Sequence, residues 1–158
     1  MKKLKIYLDT SIISFAIDGR NPREKRLTLR LIDEIKAGKY EAFISAVTIA
    51  EIKRADNDIC KKLLEVVSVI NPEELAVDEE AQALANRYIT EGIIPVKYAD
   101  DALHIAVASV NDLDLIISWN FEHIVKFKTK REVTGINSLT GYKNNIEIYS
   151  PLEVVQDE

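Results

Sequence analysis

The chain has 158 residues, 47% of them hydrophobic and 30% charged, which suits one domain with a sizeable core and excludes long disorder. Its formal net charge of −5 excludes a uniformly basic nucleic-acid glove. The lone Cys60 excludes an intramolecular disulfide, no stretch approaches the roughly 20 apolar residues of a membrane span, and Lys5 and Asp9 break any signal-peptide core after Met-Lys-Lys, so a soluble cytoplasmic protein is expected.

Residues 5–8 read as a short buried strand that turns polar at Asp9, Thr10 and Ser11. Residues 12–17 suit a short helix, and Asp18-Gly19-Arg20 a turn. Asn21-Pro22-Arg23-Glu24 has the marks of a helix start: Asn as N-cap, Pro at the first position and Glu at the third. Leu27, Leu31, Ile32 and Ile35 then share one face, and Gly38 ends the helix. A second strand is expected over 41–45, helices over 47–55 and 58–66, and a third strand over 67–70, stopped by Asn71-Pro72. Residues 78–91 are helical by composition, and a helix from 99 to 110 is followed by a strand over 113–117 and then Ser118-Trp119-Asn120. Residues 121–142 are mixed and polar, with a helix near the start and a Gly-Tyr turn at the end; residues 146–149 alternate like a last strand, ended by Ser150-Pro151. Strands alternating with helices imply a single three-layer α/β/α domain over 1–158, with a mostly parallel sheet and its site at the carboxyl ends of the strands.

Several oxygen-bearing residues follow strand ends or open helices: Asp9, Glu51, Asp100, Asp101 and Asn120. Each has an ordinary structural explanation. Asp9 can cap a helix, Glu51 can be a surface acid, Asp100 or Asp101 can favour a helix N-terminus, and Asn120 can be a turn residue. As a set they bring three carboxylates to one edge of a parallel sheet, where they repel unless a cation neutralises them. Hard oxygen donors suit Mg²⁺ or Mn²⁺, ions that activate water and stabilise a departing phosphodiester oxygen. Residues 1–62 carry fourteen Lys+Arg against nine Asp+Glu, and Arg20, Arg23, Lys25 and Arg26 are candidates to meet a polyanion; solvated helix faces explain the same charges.

Four blocks occur in order: Ile-Tyr-Leu-Asp-Thr-Ser-Ile, Ser-Ala-Val-Thr-Ile-Ala-Glu-Ile, Asp-Asp-Ala-Leu-His-Ile-Ala and Leu-Ile-Ile-Ser-Trp-Asn-Phe-Glu-His-Ile. Over residues 5–124 they resemble the PIN-domain ribonucleases, particularly the VapC-like toxins of toxin–antitoxin pairs. The resemblance implies a PIN-like fold and a Mg²⁺- or Mn²⁺-dependent endoribonuclease, with RNA as substrate, a small antitoxin as partner and a homodimer as assembly. It makes Asp9, Glu51 and Asp101 the catalytic metal ligands, with Asp101 preferred over Asp100 because the family's acid directly precedes the Ala-Leu-x-Ile-Ala run. Thr10 or Ser11 becomes the support of the first acid. The family often has a further Asp at position 120 or 123, where this chain has Asn120 and His123; Asn120 is then a supporting oxygen, and His123 a phosphate contact or proton donor, or merely structural. That departure leaves open a second reading, a degenerate PIN-fold module that binds RNA or protein without cleaving. An aspartyl-phosphate phosphotransferase using Asp9 ranks last, because many such enzymes carry a second Asp where this chain has Ser11.

Overall fold

The computed structural model describes residues 2–142 and 145–155; Met1, Lys143, Asn144 and the last three residues of the expected 1–158 domain lie outside them. Five strands form one sheet in the order β3-β2-β1-β4-β5, and every pairing is parallel. They are β1 (Leu4–Leu8), β2 (Tyr40–Ser45), β3 (Glu73–Leu75), β4 (Leu115–Ile117) and β5 (Glu147–Tyr149). The helices are α1 (Thr10–Phe15), α2 (Pro22–Lys36), α3 (Ala46–Lys53), α4 (Asn57–Ile70), α5 (Glu79–Thr90), α6 (Ala99–Val110), α7 (Phe127–Leu139) and α8 (Pro151–Val154). This is the expected α/β/α architecture.

The two-residue period of a strand divides the core into two layers. Ile6, Leu8, Ala42, Ile44, Leu115 and Ile117 pack on one face with residues of α1, α2 and α4. Tyr7, Phe43 and Ile116 point the other way, into a core with α5, α6 and α7. Helix α6 is buried nearly all round, from Ala102 to Ser109, apart from Leu103, which explains why its apolar pattern has no clear face. No helix among the described residues is long and apolar enough to cross a membrane.

Local chemistry sets the element ends. Asn21 caps α2 by accepting from Glu24 N–H at 2.9 Å, with Pro22 in the first turn, as its sequence predicts. Ser45 ends β2 and caps α3 through Val47 N–H. The strand expected over 67–70 is instead the last turn of α4. Leu63, Val66, Val67 and Ile70 follow the i, i+3, i+4, i+7 spacing of one helical face, and all pack into the first core. The helix stops at Asn71, whose left-handed φ of 52° suits an Asn C-cap before Pro72. The actual strand is β3, a short edge strand whose Glu-Glu-Leu sequence carries no strand pattern. The helix expected near the start of 121–142 is α7, which begins at Phe127.

Ile6 is fully buried in the central strand, so Ile6→Ala should cost about 2–5 kcal/mol of stability in urea unfolding. A loss under about 1 kcal/mol would mean that this layer closes over the vacancy far more freely than close packing allows.

Candidate functional site

From β1 the chain crosses to β2 on one side, and β4 returns on the other. In open α/β sheets ligands bind at such a change of direction, beyond the carboxyl ends of the strands. Leu8 stands in register with Ile117, and Asp9 N–H continues the ladder to Ile117 O at 3.4 Å. Asp9 and Ser118 therefore leave the sheet together.

Asp9 precedes α1 with extended backbone, yet its side chain makes no capping hydrogen bond. Its carboxylate is held by two hydroxyls instead: Ser11 Oγ donates to Oδ1 at 2.6 Å and Ser118 Oγ to Oδ2 at 2.8 Å. These serines are themselves fixed, for Trp119 N–H donates to Ser11 Oγ at 2.8 Å and Asn120 N–H to Ser118 Oγ at 2.9 Å. Of the two hydroxyls offered as support for the first acid, Ser11 takes that place. Thr10 turns to the second acid and donates to Glu51 Oε1 at 2.6 Å.

Glu51 has a further partner that sequence reasoning passed over. His104 Nε2 lies 2.6 Å from the same Oε1, and its Nδ1 lies 2.6 Å from the hydroxyl of Tyr7. His104 follows Asp101 by three residues on α6, so helical spacing alone puts both on one side of the helix. The neighbouring Asp100 turns outward to an exposed ion pair with Arg54 at 2.6 Å. Asp101 stays with the other acids, and the Asn120 side chain favours its charged form. Asn120 also caps the following turn, its Oδ1 accepting from His123 N–H at 2.9 Å. That turn role coexists with its place at the acids.

The electrostatics are those of acids short of positive charge. Burial pushes the Asp9 carboxyl up to about 6, with repulsion from Asp101 adding to it and His104 and the two serines only partly offsetting it. Burial raises Asp101 as well, against the lowering pull of His104, Asn120 and His123. Glu51 moves the other way, because the His104 contact and the Thr10 hydroxyl outweigh its burial. Burial disfavours a charge on His104, but Tyr7 and Glu51 overcome that and raise it well above the ordinary imidazole value.

Among the described residues no three His, Cys, Asp or Glu side chains form a cluster arranged to hold a metal ion. In this geometry the Glu51 oxygen Oε1 is hydrogen-bonded to both Thr10 and His104. Asp9 and Asp101 suit a hard cation, since they are two mutually repelling carboxyls, the first buried and the second half-buried, and Mg²⁺ commonly takes one or two carboxylates with waters and substrate phosphate.

His123 packs its ring against Tyr98, 4.0 Å between centroids, and its nearest ionic neighbour is Glu122 at 3.5 Å. Its side chain is 12% exposed. Arg20 grips Glu24 through two hydrogen bonds, reaches Trp119 O at 3.4 Å and lies over the rings of Phe15 and Phe121. It braces the segment that carries Trp119 and Asn120. Arg23, Lys25 and Arg26 lie exposed at the start of α2.

The sequence matches the PIN domain family model over residues 6–123. The chain belongs to the PIN domain family. A chain in the crystal structure of VapBC2 from Rickettsia felis bound to a DNA fragment from their promoter is similar in fold, with a TM-score of 0.55 and 15% identity over 93% of this chain and 98% of that one. No curated protein matches the sequence. The PIN match runs from Ile6 in β1 to His123, so every acid discussed above lies inside it.

The raised Asp9 value has a measurable sign. The folded chain holds that proton more tightly than the unfolded chain, so stability contributed by the neutral acid is complete below pH 3.8 and is lost as pH rises through about 6. That difference corresponds to about 3 kcal/mol as an order of magnitude. In cation-free buffer Asp9→Asn should therefore be more resistant to urea than the wild type near neutral pH, the difference shrinking toward about pH 4. A difference that stays constant with pH would show that Asp9 does not titrate in this way.

Proposed function

We propose that this PIN-domain chain is a divalent-metal-dependent endoribonuclease and the toxin of a toxin–antitoxin pair. The observation that carries the reading is a pair of mutually repelling carboxyls, buried Asp9 and half-buried Asp101, at the switch point of a parallel sheet. Asp9 and Asp101 would hold Mg²⁺ or Mn²⁺, which when bound supplies water activation and neutralises charge on the departing oxygen.

The chain's own residues set the geometry. Ser11 and Ser118 aim the two oxygens of Asp9, and the Asn120 side chain favours the charged form of Asp101. In this role Asn120 needs no charge, so its presence where the family often has an acid is compatible with activity. Glu51 is 25% exposed, and both of its donors converge on Oε1. Its Oε2 is then the oxygen that orients an attacking water and takes its proton. In-line attack of water leaves a 5′-phosphate and does not use the ribose 2′-hydroxyl. Likeness in fold to a VapBC2 chain supports a small antitoxin as partner. A homodimer acting on RNA in the cytoplasm completes the proposal.

The test is cleavage of a mixed pool of structured RNAs by wild type and Asp9→Asn with Mn²⁺ or Mg²⁺. Wild type should cleave only with the metal, EDTA should stop it, and Asp9→Asn should lose on the order of 10²-fold or more. Cleavage that survives EDTA, or that is equal in the two proteins, would reject the assignment. RNA bound but left intact at every metal concentration would favour the non-cleaving module.

A further inference from the structure

A run of buried polar groups lies behind the acids. Val47 N–H donates to Ser45 Oγ at 3.2 Å, and Ser45 Oγ is 2.7 Å from the Tyr7 hydroxyl. That hydroxyl is 2.6 Å from His104 Nδ1, and His104 Nε2 is 2.6 Å from Glu51 Oε1. Tyr7 and Ser45 are fully buried and His104 is 1% exposed. Packing alone does not call for them, since Phe, Ala and Leu would fill the same space without polar atoms to satisfy.

The run draws on separate parts of the fold, with Tyr7 on β1, Ser45 at the end of β2, His104 on α6 and Glu51 on α3. Its direction is fixed where it matters. In a neutral ring, Ser45 donates to Tyr7, Tyr7 donates to Nδ1, and Nε2–H faces Glu51. In a charged ring, Nδ1 donates to Tyr7, Tyr7 donates to Ser45, and Nε2–H still faces Glu51. The tether therefore does not depend on which form is present. It ends on the member of the run that reaches solvent, and with Thr10 it pins one oxygen, Oε1, of that carboxylate.

We propose that His104 is a positioning residue for Glu51, itself held by Tyr7 and Ser45, so that Glu51 serves the reaction through Oε2 from outside the ligands of the cation. This rests on the nuclease reading above. His104→Leu fills the space without a donor, His104→Gln restores an amide N–H, and Tyr7→Phe removes one oxygen and almost no volume.

With RNA as substrate, His104→Leu and Tyr7→Phe should lower kcat about 10–100-fold while leaving KM unchanged. Mn²⁺ affinity, measured by calorimetry without RNA, should be unchanged in both. His104→Gln should recover most of the activity. Adding His104→Leu to Glu51→Gln should cost nothing more, because the residue it positions is already disabled. Independently of turnover, the imidazole ¹⁵N signals of His104 should shift in both Glu51→Gln and Tyr7→Phe.

Full activity in His104→Leu, a further loss in the Glu51→Gln background, weakened Mn²⁺ binding, or unmoved ¹⁵N signals would each overturn the proposal while leaving an active wild type as support for the nuclease. A wild type that cleaves no RNA overturns the nuclease reading first, and the positioning role with it. If His104→Leu does not fold, Tyr7→Phe decides the kinetic question alone.

Discussion

Burying a carboxylate is tolerated only when something answers its charge or its hydrogen-bonding capacity. At Asp9 the answer is two serine hydroxyls, one from the next turn of chain and one from across the sheet, and both depend on the parallel pairing of β1 with β4. That pairing sets Asp9 beside Ser118, and the backbone N–H groups of Trp119 and Asn120 then lock both serines. A slip of one residue in this register would turn Ile6 and Leu8 to the opposite face and part Asp9 from Ser118. The fold and the geometry of the acids are set by the same contact.

The acids divide into two arrangements that answer their charge differently. Asp9 and Asp101 have hydrogen-bond donors but no bonded cation, and both are raised. Glu51 has His104 and is lowered. A cation entering the crevice finds most to gain at the first pair, because there it replaces repulsion with attraction, whereas at Glu51 it would have to compete with an imidazole already in place. This asymmetry sets the electrostatics of Glu51 apart from those of the two aspartates.

Much of this was legible beforehand, wherever the deciding signal was local. The switch from apolar to polar at Asp9, the Asn-Pro-Arg-Glu start of α2 and the end of β2 at Ser45 are read from neighbouring residues, and the alternation of strands with helices gives the layered parallel sheet. The assignment of Ser11 to Asp9 and Thr10 to Glu51 was not legible, because adjacent residues of a helical turn diverge and only the packing of α3 against α1 says which meets which. Tyr7 read simply as part of an apolar strand, since its hydroxyl partners lie 38 and 97 residues away. His104 had a usable signal in its spacing from Asp101, masked by a helix that is apolar on nearly every side. Strand β3 is made by backbone pairing at a sheet edge, to which Glu73 and Glu74 give no clue.

Trp119 is the chain's one tryptophan. Its backbone N–H holds Ser11, its indole Nε1 donates to Thr28 Oγ1 at 2.8 Å, and its ring stacks with Phe15 at 5.6 Å and meets Phe121 edge-on at 6.1 Å. At 1% exposure it is screened from solvent, and a single serine separates it from Asp9. Ser11 thus ties the Asp9 carboxylate to the backbone of the residue that carries the only indole in the molecule, which places a natural fluorophore one residue's breadth from the acids.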